Sequence, residues 1–202
     1  SGKSDLSGVA SVASFFVSRV DTEVDRRLET MATEAEHADR ELSGTELGDP
    51  ELAAKLRSRL GTTAVAQARE AYRLFTRYFT GERWGRLAAA GARPQRLLWA
   101  STSTKNPGYP DLIYVDSLIG PETVNTMPDS TIEAFLDHGT VARTVDADAD
   151  GPRRSLELLS ELGVDLADVA KTLEDEAVAS FSKSFEELMQ ALSSKALAIG
   201  KD

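Results

Sequence analysis

The chain has 202 residues, enough for one domain, with 41% apolar and 28% charged residues; 33 acidic against 23 basic side chains leave a net charge of −10. That acidity argues against unaided binding to nucleic acid or to anionic lipid, both of which require Lys and Arg facing phosphates. The lack of cysteine excludes disulfides and zinc–thiolate sites, the two histidines (His37 and His138) argue against a His-rich metal site, and no apolar run approaches the ~20 residues of a membrane helix.

The segment Val9–Val17 is almost wholly apolar or small and reads as a short buried strand covered on both faces. Polarity switches at Ser18-Arg19-Val20-Asp21, where Asp21, or Thr22, is a candidate cap for a charged helix running from Val24 to about Ala38. Residues 33–51 are acidic and contain Ser43-Gly44, Gly48 and Asp49-Pro50, which predicts a solvated connector whose Asp49 caps the next helix with Pro50 in first position. That helix is predicted from Glu51 to about Phe79, with a bend near Gly61-Thr62-Thr63 and an apolar face including Leu56, Leu60, Val65, Ala68, Tyr72 and Phe75. Arg96–Ser101 reads as a second strand, followed by a turn at Tyr109-Pro110-Asp111 and a short helix from Asp111 to Ile119 that ends at Gly120. Glu122–Met127 reads as a third strand, and Pro128-Asp129-Ser130 opens a helix that stops by Gly139. From Pro152 onward the pattern is helical. Leu156, Leu159 and Leu162 form one stripe ended by Gly163, and a further helix starts at Asp165 with Phe181, Phe185, Leu188 and Leu192 in line.

Three strand-like runs, each followed by helical sequence, predict parallel β/α units. Three strands cannot close a (β/α)8 barrel, which typically takes about 250 residues. Periodicity alone therefore indicates part of an α/β protein.

Several blocks carry a closer resemblance. Ser11-Val12-Ala13-Ser14-Phe15-Phe16-Val17-Ser18-Arg19-Val20-Asp21-Thr22-Glu23-Val24-Asp25-Arg26-Arg27-Leu28 resembles the sixth barrel strand and following helix of the transaldolase family, in its long, actinobacterial-type branch. Leu98-Trp99-Ala100-Ser101-Thr102-Ser103-Thr104-Lys105-Asn106-Pro107 resembles the seventh strand. Tyr114–Pro121 and Thr123–Pro128 resemble the approach to the eighth strand and the strand itself, and Thr131–Gly139 the helix after it. The order and spacing of the blocks agree from about residue 9 to 139.

This resemblance implies the C-terminal part of a TIM barrel, about strands six to eight, with residues 152–200 forming terminal helices that pack on it. The implied activity transfers a dihydroxyacetone unit between sugar phosphates. It moves the unit from sedoheptulose 7-phosphate to glyceraldehyde 3-phosphate, giving erythrose 4-phosphate and fructose 6-phosphate, through a Schiff base on a lysine. The fourth-strand segment that carries this lysine in the family has no counterpart here, so the lysine is expected upstream. The chain, which does not begin with Met, is expected to start after processing, after a tag or within a longer protein. The upstream half of the same barrel is its expected partner, with sugar phosphates as substrates and no cofactor, metal, nucleic acid or membrane; the expected setting is cytoplasmic. Two alternatives remain open: a transaldolase-like enzyme for another sugar phosphate, and a non-catalytic module that binds sugar phosphates or a partner chain.

Residues 93–110 hold three basic residues and no acidic one, which can focus an anion locally on an acidic protein. The resemblance assigns Arg19 and Ser101 to the substrate phosphate. Where shorter relatives carry an arginine two residues after that serine, this chain has Ser103, and Lys105 is inferred to supply the charge. Ser14 and Phe16 match residues lining the dihydroxyacetone pocket. Plainer readings stand beside these: Arg19 paired with Asp21 or Glu23, Lys105 an ordinary loop lysine, and Ser14 and Phe16 simple strand residues. Lysines 55, 171, 183 and 195 read as solvated, and His138 as a helix-end residue facing C-terminal carbonyls.

Overall fold

The computed structural model describes residues 5–37 and 48–199. Its first unit, through Val164, contains β1 (Val12–Phe16), α1 (Ser18–His37), α2 (Pro50–Arg57), α3 (Thr63–Tyr78), α4 (Gly81–Ala89), β2 (Arg96–Ala100), α5 (Ile113–Asp116), β3 (Thr123–Asn125), α6 (Asp129–His138) and α7 (Gly151–Glu161). A second unit, from Asp165, is the 34-residue helix α8 (Leu166–Ile199), opened by Asp165, whose carboxylate accepts from the Ala167 N–H at 2.8 Å.

The three strands form one parallel sheet in the order β1-β2-β3. Ser14 pairs with Leu98 and Leu98 with Val124; Phe15 pairs with Trp99 and Trp99 with Asn125. Because side chains alternate along a strand, Phe15 and Trp99 fall on one face and Val12, Ser14, Phe16, Leu98 and Val124 on the other. The first face is covered. Trp99 is buried, its indole N–H donates to the Leu118 carbonyl at 3.0 Å, and Phe15 meets it edge-on. The second face is open: Val12 is 41% and Phe16 48% exposed. The expectation of a strand buried on both sides is thus corrected, because no element among the described residues of the first unit covers Val12 and Phe16.

β1 passes into α1 without a loop. The Val17 and Ser18 N–H groups still bond to Ala100 and Ser101 carbonyls of the neighbouring strand path, at 2.9 and 3.0 Å, while Ser18 already begins the helix. Asp21 therefore lies one turn inside α1 and does not cap it. Its buried carboxylate instead accepts from the Ala64 N–H and the Tyr114 hydroxyl, each at 2.7 Å. One turn on, Asp25 accepts from the Gly61 N–H at 2.9 Å and the Tyr109 hydroxyl at 2.7 Å. Val24, Leu28 and Ala32 bury the apolar stripe of α1.

The bend expected in the helix after Glu51 is a full break. α2 is capped as expected, Asp49 accepting from Leu52 N–H at 2.8 Å with Pro50 in the first turn. α3 starts anew after Gly61, whose φ of +67° a side chain resists. A Cβ there would also stand 2.8 Å from the Tyr109 ring. α3 buries Ala64, Ala66, Ala68, Tyr72 and Phe75 and packs on α1 and α7. α4, which the sequence pattern does not reveal, buries no residue. The helix expected from Asp111 to Ile119 shortens to α5, since the Ile119 carbonyl turns to accept the Thr144 and Val145 N–H groups. The acidic connector is partly helical, because α1 runs to His37; residues 38–47 lie outside the described residues. On α8, Phe181, Phe185, Leu188, Met189 and Leu192 are all exposed.

Burial pushes the Asp21 carboxyl up to about 6, against the lowering pull of the Ala64 and Tyr114 hydrogen bonds. Asp25 is raised for the same reason. A carboxyl raised in the folded state binds its proton more tightly than in the unfolded chain. Its contribution to stability is complete below about pH 4 and is lost as pH rises through about 6. Replacing Asp21 with Asn retains one acceptor and removes the charge. Urea denaturation is expected to show Asp21→Asn gaining on the parent by about 1–3 kcal/mol between pH 4 and pH 7.

Candidate functional site

The C-terminal ends of β1 and β2 bring the sequence-predicted residues to one end of the sheet. Ser14 and Phe16 alternate along the open face of β1. Arg19 follows in the first turn of α1, exposed, its guanidinium carbon 5.4 Å from the Phe16 ring centroid. This is a cation–π stack at a helix N-terminus, where the macrodipole also favours an anion. The plainer pairing of Arg19 with a nearby carboxylate does not form. Asp21 is committed to Ala64 and Tyr114, and Glu23 to Arg26 and Arg27 at 2.8 and 2.7 Å. The Arg26 hydrogen bond leads in holding the Glu23 carboxyl down at about 2. Among the described residues Arg19 has no ion pair, so its donors face outward.

Ser101 closes β2 with a φ of +56°, in the left-handed region that non-glycine residues seldom occupy. Two bonds hold it there: its carbonyl accepts from the Ser18 N–H at 3.0 Å, and its hydroxyl lies 2.9 Å from that of Ser18. Such strain persists only where surrounding contacts over-determine it, and it clusters at functional sites. Thr102, fully buried, donates toward Asn125 Oδ1 at 2.8 Å, with the Thr126 carbonyl 3.0 Å away, and so ties the ends of β2 and β3. Lys105 donates to the Ser103 hydroxyl at 2.8 Å and is otherwise exposed, so Ser103 orients the cation without neutralising it.

Behind this mouth lies a cavity of about 220 Å³ lined by Ser18, Asp21, Asp25, Lys105, Tyr109 and Tyr114 together with Thr22 and Asn106. The arrangement presents a fixed arginine fork, a lysine point charge, serine hydroxyls and a helix N-terminus, a set suited to a phosphate ester. His138 takes no part. It sits between the Asp137 and Asp111 carboxylates, at 3.1 and 3.2 Å, and not against helix carbonyls, and the Asp137 bond leads in raising it. Ser18, Thr102 and the Asp21/Asp25 pair were not singled out as site residues by sequence. The four-residue spacing of the two aspartates, which puts both on one helix face, is the signal that could have found them.

The molecule is thus a parallel β/α protein with an anion-suited mouth at the carboxyl ends of its strands. A family model described as Transaldolase/Fructose-6-phosphate aldolase matches residues 3–192; the chain belongs to that family. It is 51% identical over 189 residues to a transaldolase of Parafrankia sp. (strain EAN1pec), covering 93% of this chain and 46% of that protein. It is 50% identical over 186 residues to a transaldolase of Thermobifida fusca (strain YX), covering 92% and 45%, and 45% identical over 188 residues to one of Mycolicibacterium smegmatis, covering 93% and 45%. The chain spans about half the length of the curated relatives it matches.

Replacing Thr102 with Val leaves its volume nearly unchanged and strips Asn125 and Thr126 of their donor. Unfolding in urea is expected to show a loss of about 1–2 kcal/mol.

Proposed function

We propose that this chain supplies the C-terminal half, about strands six to eight and the terminal helices, of a transaldolase barrel. In this reading it binds the phosphate end of the sugar phosphate, while the Schiff-base lysine comes from the upstream half. The observation that carries the reading is Arg19. Among the described residues it has no ion pair, and it is stacked on Phe16 and adjacent through Ser18 to the strained Ser101, at the end of the sheet where barrel enzymes of this architecture hold phosphate. Arg19, Ser101, Ser103 and Lys105 receive the phosphate, and Ser14 and Phe16 border the dihydroxyacetone carbons on the open face.

Two further features support it. The open face bears Val12, Phe16, Leu98 and Val124, the make-up of a barrel interior awaiting the opposing strands. Lysines 55, 105, 171, 183 and 195 are all exposed, whereas imine chemistry at neutral pH uses a lysine relieved of its proton by desolvation or a cationic neighbour. The apolar stripe of α8 would pack in the complete protein. The proposed setting is cytoplasmic, where sugar phosphates are handled.

Each cation is expected to contribute through charge-assisted hydrogen bonds of about 1.5–3 kcal/mol. In the complete enzyme, Arg19→Ala and Lys105→Ala should therefore each lower kcat/KM for fructose 6-phosphate roughly ten- to hundredfold, with far smaller losses for fructose. Equal losses on both sugars would mean a structural role. Borohydride trapping with fructose 6-phosphate, followed by mass spectrometry of peptides, should place the three-carbon adduct outside residues 1–202. An adduct on any lysine of this chain would overturn the division of labour.

A further inference from the structure

Both cation-bearing segments of the mouth are referenced to the same two carboxylates. Arg19 lies two residues before Asp21 on α1. Lys105 lies on a short loop whose first end is fixed by the Ser101–Ser18 bonds and whose second end is Tyr109. Local bonds close that loop: Tyr109 N–H donates to the Asn106 carbonyl at 3.2 Å, and the Thr104 hydroxyl lies 3.1 and 2.9 Å from the Pro110 and Asp111 carbonyls. Tyr109 then docks through its hydroxyl on Asp25, at 2.7 Å, while its ring packs directly on the backbone of Gly61. Five residues on, the Tyr114 hydroxyl docks on Asp21, also at 2.7 Å.

All four oxygens of the two carboxylates are taken by protein donors: Ala64 N–H, Tyr114, Gly61 N–H and Tyr109. The pair is thus committed to the fold, and its hold on the loop runs through the tyrosines. A lysine and an arginine that must meet one phosphate gain from having their segments fixed relative to each other, since small misplacements of binding groups are costly. An exposed lysine on an untied loop would lose more conformational entropy on binding.

We propose that Asp21 and Asp25, acting through Tyr114 and Tyr109, are positioning residues of the phosphate site, holding the Lys105 loop against the helix that carries Arg19. This inference rests on the phosphate-site reading above. In this inference the aspartates and tyrosines act through the segments they hold and not through contact with substrate.

Tyr109→Phe is the cleanest probe, because it keeps the ring on Gly61 and removes only the hydroxyl bonded to Asp25; Tyr114→Phe provides a second arm. In the complete enzyme, Tyr109→Phe is expected to raise KM for fructose 6-phosphate roughly three- to tenfold, with kcat within about twofold and the reaction of fructose unchanged. Combined with Lys105→Ala it should add little to the loss caused by Lys105→Ala alone, because both act through one loop. If Arg19→Ala impairs fructose 6-phosphate selectively but neither tyrosine variant does, the positioning role is overturned and the phosphate site stands. Multiplicative effects of Tyr109→Phe and Lys105→Ala, or equal losses on both sugars, also overturn it. If Arg19→Ala fails to distinguish the two sugars, the phosphate site itself falls, and the positioning role with it.

Discussion

Two carboxylates one helical turn apart on α1 reach across long stretches of chain to hold the α2–α3 turn and the segment after β2. Asp25 takes one backbone N–H from that turn and Asp21 one from the first turn of α3, and each takes one tyrosine hydroxyl from that segment. Burying a carboxylate is costly unless its oxygens are satisfied. Here they are, and the remaining cost appears as the upward displacement of both groups from the ordinary carboxylate range. The break between α2 and α3 follows from this tie. Gly61 must offer its N–H to Asp25 and lie beneath Tyr109, and only a residue without a Cβ fits at that φ and distance.

The sheet has the opposite character on its two faces. Trp99 and Phe15 are covered, with the indole N–H satisfied; Val12 and Phe16, one residue out of phase, are not. Parallel sheets occur almost solely with both faces covered, since their crossovers place helices outside and further strands or helices complete the other side. The open face and, among the described residues, the two unpaired strand edges fit the proposed packing against an upstream half, and the relatives are about twice the length of this chain.

An acidic chain with a net charge of −10 nevertheless gathers unneutralised cations at one end of its sheet. Local placement achieves this. The carboxylates nearest Arg19 along the helix are occupied elsewhere, Asp21 by the fold and Glu23 by Arg26 and Arg27. Lys105 is steadied by a neutral hydroxyl. The helix N-terminus at Ser18 adds its partial positive charge next to Ser101. Each device leaves positive potential facing outward, where an approaching anion can use it.

Alternation of apolar runs with amphipathic segments was enough to read parallel β/α units, and the three strands, the Asp49–Pro50 helix start and the helix stops at Gly139 and Gly163 were legible because each depends on residues within one or two turns of it. Blocks such as Ser11–Leu28 likewise pointed to the family to which the chain belongs. The site was half legible: residue types suited to phosphate stood at strand ends, but their partners did not show. Asp21 looked like a cap because a short polar residue ahead of a helical pattern usually is one. Its real partners, Ala64 and Tyr114, lie 43 and 93 residues away, and no local spacing encodes them. The left-handed Ser101, the break at Gly61 and the exposure of Phe16 were likewise decided only when distant segments met, because backbone strain and burial are set by what packs against a residue and not by its neighbours in sequence.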